Sequence, residues 1–462
     1  MTHSSTPGTV FDALPHAMSD SSSHRPLTGS SRSSASKDTV YTIGMALTIV
    51  SCVFFLLSFL SSLAGLVRDA PPPTSASFAG SRYYGRCNPY MKPGYVSHDP
   101  YPVWKPYDST CQSTPILPHL LSLLPGAKVG PVAALRAQNT PKQAEDEVIR
   151  TVKNRTILLV GDAVDRAMVR NLCAMVGETP VAVDASHPWG ASLKQVSAYT
   201  GKSANNVVLA DYCFIPQYST LVTSFHHYGA DTDELWRAQP SYFPPGSFES
   251  RLKSLLQPYL SSMSSSPAYN GVQASSSQPD LVVFSSGLWD LAAWAMEDDS
   301  EHLDATGDLS DKRLEWWRSR MVDMLVELRK VIGSSAPIAW RSTHMSMSTA
   351  KDTVESFIAS TSAAEPVAPT GTGHQFAHPH RIAQLNEARK SFLPLLGRDS
   401  VRGKLSKTIW SQSNEPYLRD MPFGEVTLGL PLQQDSLLTP GLESYAFLFW
   451  SMVFFELHDS VI

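Results

Sequence analysis

Apolar positions along the chain follow two periods. Ile157–Val160 are four consecutive apolar residues followed by Gly161-Asp162, the pattern of a buried strand ending in a turn. Directly after it, Val164, Met168, Leu172, Met175 and Val176 recur at helical spacing and form one stripe. Further strands are predicted over Val181–Val183, Val207–Leu209, Thr220–Phe225, Leu281–Phe284 and Ile338–Trp340. Between them lie helical stripes. One is Phe248, Leu252, Leu255, Leu256 and Tyr259, weakened near its end by Pro258; the other runs from Leu314 through Trp317, Met321, Met324, Leu325 and Leu328 to Val331. Alternation of this kind predicts an α/β domain, a parallel sheet flanked by helices on both faces. Leu442–Leu457 is almost wholly apolar yet short for a span, and reads as a helix packed into the core.

In such a sheet ligands gather beyond the carboxyl ends of the strands. Those ends carry Gly161-Asp162-Ala163, Asp184-Ala185-Ser186-His187, Phe225-His226-His227-Tyr228-Gly229, Ser285-Ser286-Gly287-Leu288-Trp289-Asp290 and Arg341-Ser342-Thr343-His344. "ILLVGDAVDR", residues 157–166, resembles the first block of the SGNH (GDSL-type) hydrolases, in the PC-esterase and trichome-birefringence-like branch. "DLVVFSSGLWDL", "WRSTH" and "RIAQLN" (280–291, 340–344 and 381–386) resemble later blocks. So does the Tyr/Trp/Pro-rich stretch between Cys87 and Cys111, expected to be an irregular cap held by its rings. The resemblance implies a three-layer SGNH-like fold and ester hydrolysis or O-acyl transfer on glycans through Ser-His-Asp chemistry.

The residues that would do this chemistry are not all present. Where the family has its nucleophilic Ser, this chain has Ala163. Gly287 and Asp290 match the Gly-x-Asn-Asp block, but Trp289 stands in the place of the oxyanion-holding Asn. Asp435 matches the closing Asp-x-x-His, and Leu438 occupies the position of the His. The vestigial pocket is therefore Asp162, Ala163, Gly287 and Asp435, with Arg166, Trp289 and Asp290 expected to touch substrate. Displaced replacements would come from Ser286 as nucleophile and His344 or His187 as base. Asp184-Ala185-Ser186-His187 copies the Asp-x-x-His spacing at the wrong end of the domain. His226, His227, His374, His378 and His380 form no recognisable ligand set and are expected at the surface, as is the His458-Asp459 pair in the tail. No metal or cofactor is expected.

Composition adds the setting. Of 462 residues, 34 are Pro and long Ser tracts recur, so extended irregular segments are expected. A net charge of −5 without any Lys/Arg run gives no electrostatic support for nucleic-acid binding. Residues 1–42 read as a disordered cytosolic tail and 43–67, 25 residues without a charge, as a transmembrane helix of type II orientation. Residues 68–80 are a Pro-rich stem and 81–462 a luminal domain with insertions near 261–277 and 359–372. The expected partners are thus the membrane and a glycan or partner enzyme, in a secretory compartment or at the cell surface. Cys87, Cys111, Cys173 and Cys213 would lie in an oxidising lumen and allow three connectivities. Pairing Cys87 with Cys111 would staple the loop-rich stretch, and Cys173 with Cys213 would tie the first helix to a strand region. Asn154-Arg155-Thr156 is a glycosylation sequon.

Two outcomes follow for function. Either the domain is catalytically degenerate and binds a glycan or a partner enzyme, or it is a working acetyl esterase or acetyltransferase with a displaced Ser/His pair.

Overall fold

Strand β3 (Thr156–Gly161), every residue of it buried, is the middle of a seven-stranded sheet. The computed structural model describes residues 87–98, 101–112, 114–127, 142–205, 207–231, 234–239, 242–265, 271–304, 307–333, 335–344, 354, 357, 376–392, 418–427 and 444–461. All of them belong to the second of two units, Ser81–Ile462. Ahead of the sheet, β1 (Gly94–Ser97) and β2 (Val103–Pro106) pair as an antiparallel hairpin. The other strands are β4 (Val181–Asp184), β5 (Val208–Ile215), β6 (Thr220–His226), β7 (Leu281–Phe284), β8 (Ile338–Arg341) and β9 (Leu418–Met421), in the order β4-β5-β6-β3-β7-β8-β9.

The expected parallel sheet is in fact mixed. β3 pairs in parallel with β6 and β7, and β7-β8-β9 continue in parallel, but β5 runs against both β4 and β6. The reason is local: β5 reaches β6 through the single turn Pro216–Tyr218, far too short for the crossover that parallel neighbours require. Because β4 opposes β5 in turn, six strands still point one way, and their carboxyl ends share one rim. The chain leaves β3 for the β4 edge, returns to β6 beside β3, and crosses to β7 on the other flank. β3 is therefore the switch point, where the crevice of an open α/β sheet lies.

Helices follow the predicted stripes. α1 (Ile116–Leu123) and α2 (Lys142–Val152) precede β3, and α3 (Ala163–Val176) follows it, burying Val164, Met168, Leu172, Met175 and Val176. α4 (Ala191–Thr200) lies between β4 and β5. α5 joins Phe248–Arg251 and Gln257–Ser265 through a π turn, Leu252–Leu256, so the helix passes Pro258 instead of ending there. The Gln257 N–H bonds to the Leu252 carbonyl, which widens the turn just where proline cannot supply a donor. α6 (Leu288–Ser300) and α7 (Asp311–Ile332) carry the second half of the sheet. α8 (Pro379–Phe392), α9 (Phe423–Val426) and α10 (Ser444–Val461) complete the described helices. The apolar C-terminal run packs into the core as expected: Phe447, Leu448, Phe449 and Trp450 are fully buried, and the Trp450 indole donates 2.9 Å to the Met168 carbonyl.

Several expectations need correction. Among the described residues no helix is long and apolar enough to cross a membrane, which removes the transmembrane element from the observed fold. The 43–67 stretch behind that expectation lies outside the described residues, as do residues 359–372 and Asp435. The Cys-bounded cap is not irregular throughout, since it contains β1 and β2. Its rings do anchor it, Tyr101 on Phe447 at 4.9 Å and Tyr90 on Phe455 at 5.6 Å. Residues 261–265, assigned to an insertion, continue α5. β9 was not anticipated, because Leu-Arg-Asp-Met has neither strand period nor an apolar run.

Both expected disulfides form, Cys87–Cys111 and Cys173–Cys213, each with a Cα separation of 5.4 Å. They fit a domain that folds in the secretory pathway or outside the cell. Asn154 is exposed in a left-handed turn (φ 57°) at the amino end of β3, opposite the rim.

Candidate functional site

The turn from β3 into α3 is fixed by three residues. Asp162 caps α3, its Oδ1 accepting from the Val164 N–H at 2.8 Å, while Asp165 Oδ2 accepts from the Asp162 N–H at 3.1 Å. This reciprocal capping box satisfies two donors that a helix start leaves open. A Cβ at position 161 would overlap the Asp165 carboxylate, so only glycine lets the box close. Arg341, from the end of β8, clasps that carboxylate with Nε–Oδ1 3.2 Å and Nη2–Oδ2 2.8 Å, both side chains 1% exposed. Burial, and then the charge of Asp165, push the Asp162 carboxyl up to about 7, against the opposing pull of Arg341 and the cap hydrogen bonds.

Ala163 therefore sits at the first helical position, just past the tip of the central strand, where a strand-turn-helix presents a residue to the crevice. It offers a methyl group, 7% exposed. The expected substitutes are engaged elsewhere or follow other strands. Ser286 gives its hydroxyl to Asp290 Oδ2 at 3.1 Å. Asp290 also accepts from the Ala230 N–H at 2.7 Å and the Trp317 indole at 3.2 Å, and burial raises its pKa. A carboxylate so occupied anchors α6 to the 230 loop and α7.

His344 is buried beyond β8 with its ring toward Phe423, two strands or about 10 Å across the sheet from β3. His187 follows edge strand β4, three strands or about 14 Å away. Its Nδ1 accepts from the Trp189 N–H at 3.1 Å. Asp184 does not orient that ring. It accepts instead from the Ser186 hydroxyl (2.6 Å) and from the backbone of Ser186 and His187, an Asx turn.

Gly287 takes φ 142° at the start of α6, and a Cβ there would press on Thr343 Oγ1 at 3.0 Å, so this matching glycine is a packing requirement. Arg166 is paired with β5. Its Nε lies 2.5 Å from Asp211 of β5, which also takes Arg170 Nε at 2.9 Å.

The histidines expected at the surface are largely structural. His227 is buried: its backbone N–H bonds to the Gly161 carbonyl, its Nδ1 accepts from the Gly229 N–H, and its Nε2 donates to the Ser285 carbonyl at 2.9 Å. Both nitrogens are used by the neutral ring, and burial lowers its pKa to about 4. His226 packs edge-on against Tyr228 and Trp289, and burial with the nearby Arg251 holds it neutral as well. His378 is buried, His380 is exposed, and His374 lies outside the described residues. His458 is no solvated tail residue, since α10 carries it into contact with Glu147 Oε1 at 2.8 Å, and Asp459 pairs with Arg419 at 3.1 Å. Among the described residues no three His, Cys, Asp or Glu side chains converge as metal ligands.

Open space lies beside the β6 and β7 ends of the rim. A cavity of about 550 Å³ lies between α6, the 228–238 segment and α7. Tyr228, Trp236, Trp289, Trp294 and Trp316 wall it, with Asp231, Asp290 and Glu297 among its polar groups. Of the three expected substrate contacts, Trp289 and Asp290 line this cavity and Arg166 does not. The indole N–H groups of Trp236 and Trp289 are buried and have no acceptor, an omission that costs about 1–3 kcal/mol each. By residue type Trp189, Trp236, Trp289 and Trp294 are stacking candidates whose commoner place is the core; three line this cavity, and Trp189 packs in the core against Tyr212. Sequence reasoning missed Trp316, whose exposed position on a helix that otherwise buries its tryptophan is visible only in three dimensions. It also missed the two scaffold ligatures Asp211 and Asn386. Asn386 accepts from the Thr343 N–H (3.0 Å) and donates to the Thr343 carbonyl (2.8 Å), holding the loop after β8.

No protein-family model matches the chain, and no curated protein matches it in sequence.

Proposed function

We propose that this is an SGNH-like domain of the secretory pathway that has lost serine-ester chemistry and binds a glycan in the tryptophan-walled cavity beside the former active-site rim. The observation that carries the reading is the pairing of an inert β3–α3 turn, with Ala163 where a nucleophile would stand, and an open aromatic cavity that shares Trp289 and Asp290 with that rim. Aromatic faces with a few hydrogen-bonding groups suit a sugar, which has an apolar ring face and hydroxyls at its edge. Trp316, 41% exposed, and Leu235, 48% exposed, give the cavity an accessible mouth.

The alternative of a working esterase with a displaced Ser/His pair would need Ser286 released from Asp290, to which its hydroxyl is bonded, and His187 brought from the β4 edge of the sheet.

Two measurements test the reading. A serine-directed phosphonate should leave the protein unlabelled, whereas labelling that vanishes on mutating one serine would establish the esterase. On a glycan array the protein should retain oligosaccharides, and Trp316→Ala should lose them while keeping the fold by circular dichroism.

A further inference from the structure

Asn154-Arg155-Thr156 is the only Asn-x-Ser/Thr sequence in the chain, and it runs from the turn after α2 into the first residue of β3. Asn154 is exposed, and its side-chain amide finds no hydrogen-bond partner among the described residues. Its φ of 57° belongs to the left-handed region that Asn and Asp tolerate best among residues with a side chain. Around it Gln217, Ser219 and residues 275–278 are exposed as well, so a bulky group attached there meets water and polar side chains. The six residues of β3 separate this turn from Ala163 by about 20 Å, which leaves the rim clear.

The backbone of the same three residues is fastened on both flanks. Toward β6, the Asn154 N–H donates to the Tyr218 carbonyl at 2.8 Å, and the Arg155 carbonyl accepts from the Leu221 N–H at 2.8 Å. Toward β7, the Thr156 N–H donates to Asp280 Oδ2 and Arg155 Nη1 to Asp280 Oδ1, both at 2.8 Å. The Thr156 carbonyl accepts in turn from the Asp280 N–H, and Thr156 is 2% exposed. The folded sequon thus holds its amide outside and its hydroxyl residue inside. Sugar transfer to an Asn amide requires the hydroxyl two residues on, so the enzyme must reach both.

We propose that Asn154 carries an N-linked oligosaccharide attached while Thr156 is still outside the sheet, and that pairing of β3 with β6 and β7 then closes the acceptor. In the transfer, Asn154 Nδ2 bonds to the anomeric carbon of a polyprenyl diphosphate-linked oligosaccharide. The bond from that carbon to the diphosphate oxygen breaks, the diphosphate leaves with the electron pair, and the amide gives up one proton. The two disulfides fit folding in a compartment where such donors are used.

Two experiments on the full chain test the proposal. Produced in a eukaryotic secretory host, the protein should lose the mass of one oligosaccharide on digestion with a peptide N-glycosidase. Asn154→Asp, which suits the same backbone, should abolish that shift, and Thr156→Ser, which keeps the hydroxyl, should retain it. Absence of the shift in a chain whose two disulfides have formed overturns the site. Made without glycan and folded with both disulfides, the chain should stay unmodified by an oligosaccharyltransferase and its lipid-linked donor. The same chain, reduced and unfolded, should be modified over that time. Equal modification of the two forms overturns the order of events.

Discussion

Asp165 and Arg341 form a buried two-point ion pair that ties the first turn of α3 to the end of β8, passing beside β7 to do so. The Asp165 carboxylate also closes the capping box, so one side chain fixes the helix start, the glycine at 161 and the position of the strand tip. The pair lies at the first turn of α3, two residues after Ala163. Asp165 and Arg341 thus serve the fold directly, through the helix cap and the strand-to-helix tie.

Removing one partner should therefore be costly. Arg341→Met would leave the Asp165 charge buried and unpaired, with an expected loss of about 3–5 kcal/mol in denaturant unfolding. A loss below about 1 kcal/mol would mean that the pair is idle.

Asp162 gives the domain a pH dependence with an unusual sign. Its folded pKa of about 7 lies above that of the unfolded chain, so between about pH 4 and pH 7 the folded state binds more protons. The contribution of this group to stability is greatest below that window and declines as pH rises through it. Asp162→Asn keeps the cap acceptor and removes the charge. The difference in stability between variant and parent should move in the variant's favour from pH 4 to pH 8, by up to a few kcal/mol. Thermal melts across that range read the slope, and a difference independent of pH would contradict the assignment. Glu456, buried beside Arg419 and Asp459 and also pushed up to about 7, contributes a background of the same sign to both proteins.

Restoring the missing hydroxyl should restore nothing. Ala163→Ser places an Oγ at the tip of β3, but the nearby His227 ring spends both nitrogens on backbone partners, and His187 follows the far edge strand β4. Turnover of an aryl acetate should stay at the parent's level. A rise of a hundredfold or so, the scale of a positioned base, would show that a histidine reaches the site.

The Cys173–Cys213 bridge joins the buried face of α3 to β5 and closes 40 residues of chain. Chain-entropy arguments give about 4 kcal/mol for a loop of that size. Replacing both cysteines with alanine should lower the unfolding midpoint accordingly, whereas loss of the Cys87–Cys111 bridge, which closes 24 residues, should have a slightly smaller effect.

Much of the architecture was legible because burial imposes periodicity. The strand at Ile157–Val160, the stripe from Val164 to Val176, the Leu281 and Ile338 strands and the apolar terminal helix each announce themselves through side chains that must leave water. The inert position at 163 was equally plain, since a methyl group cannot attack an ester in any fold. Strand direction was not legible. β5 and β6 read as two apolar runs, and only the short turn between them, acting through pairing geometry, decides that they oppose each other. β9 was hidden because its pairing with β8 supplies what its sequence lacks. Above all, the partners of polar groups depend on three-dimensional convergence: His227 meeting Ser285, Arg166 meeting Asp211, Ser286 meeting Asp290, and four tryptophans from three segments forming one cavity. Local sequence sets which residues must be buried or must turn, because those are properties of a side chain and its neighbours. Which buried groups meet is settled only when distant segments share one space.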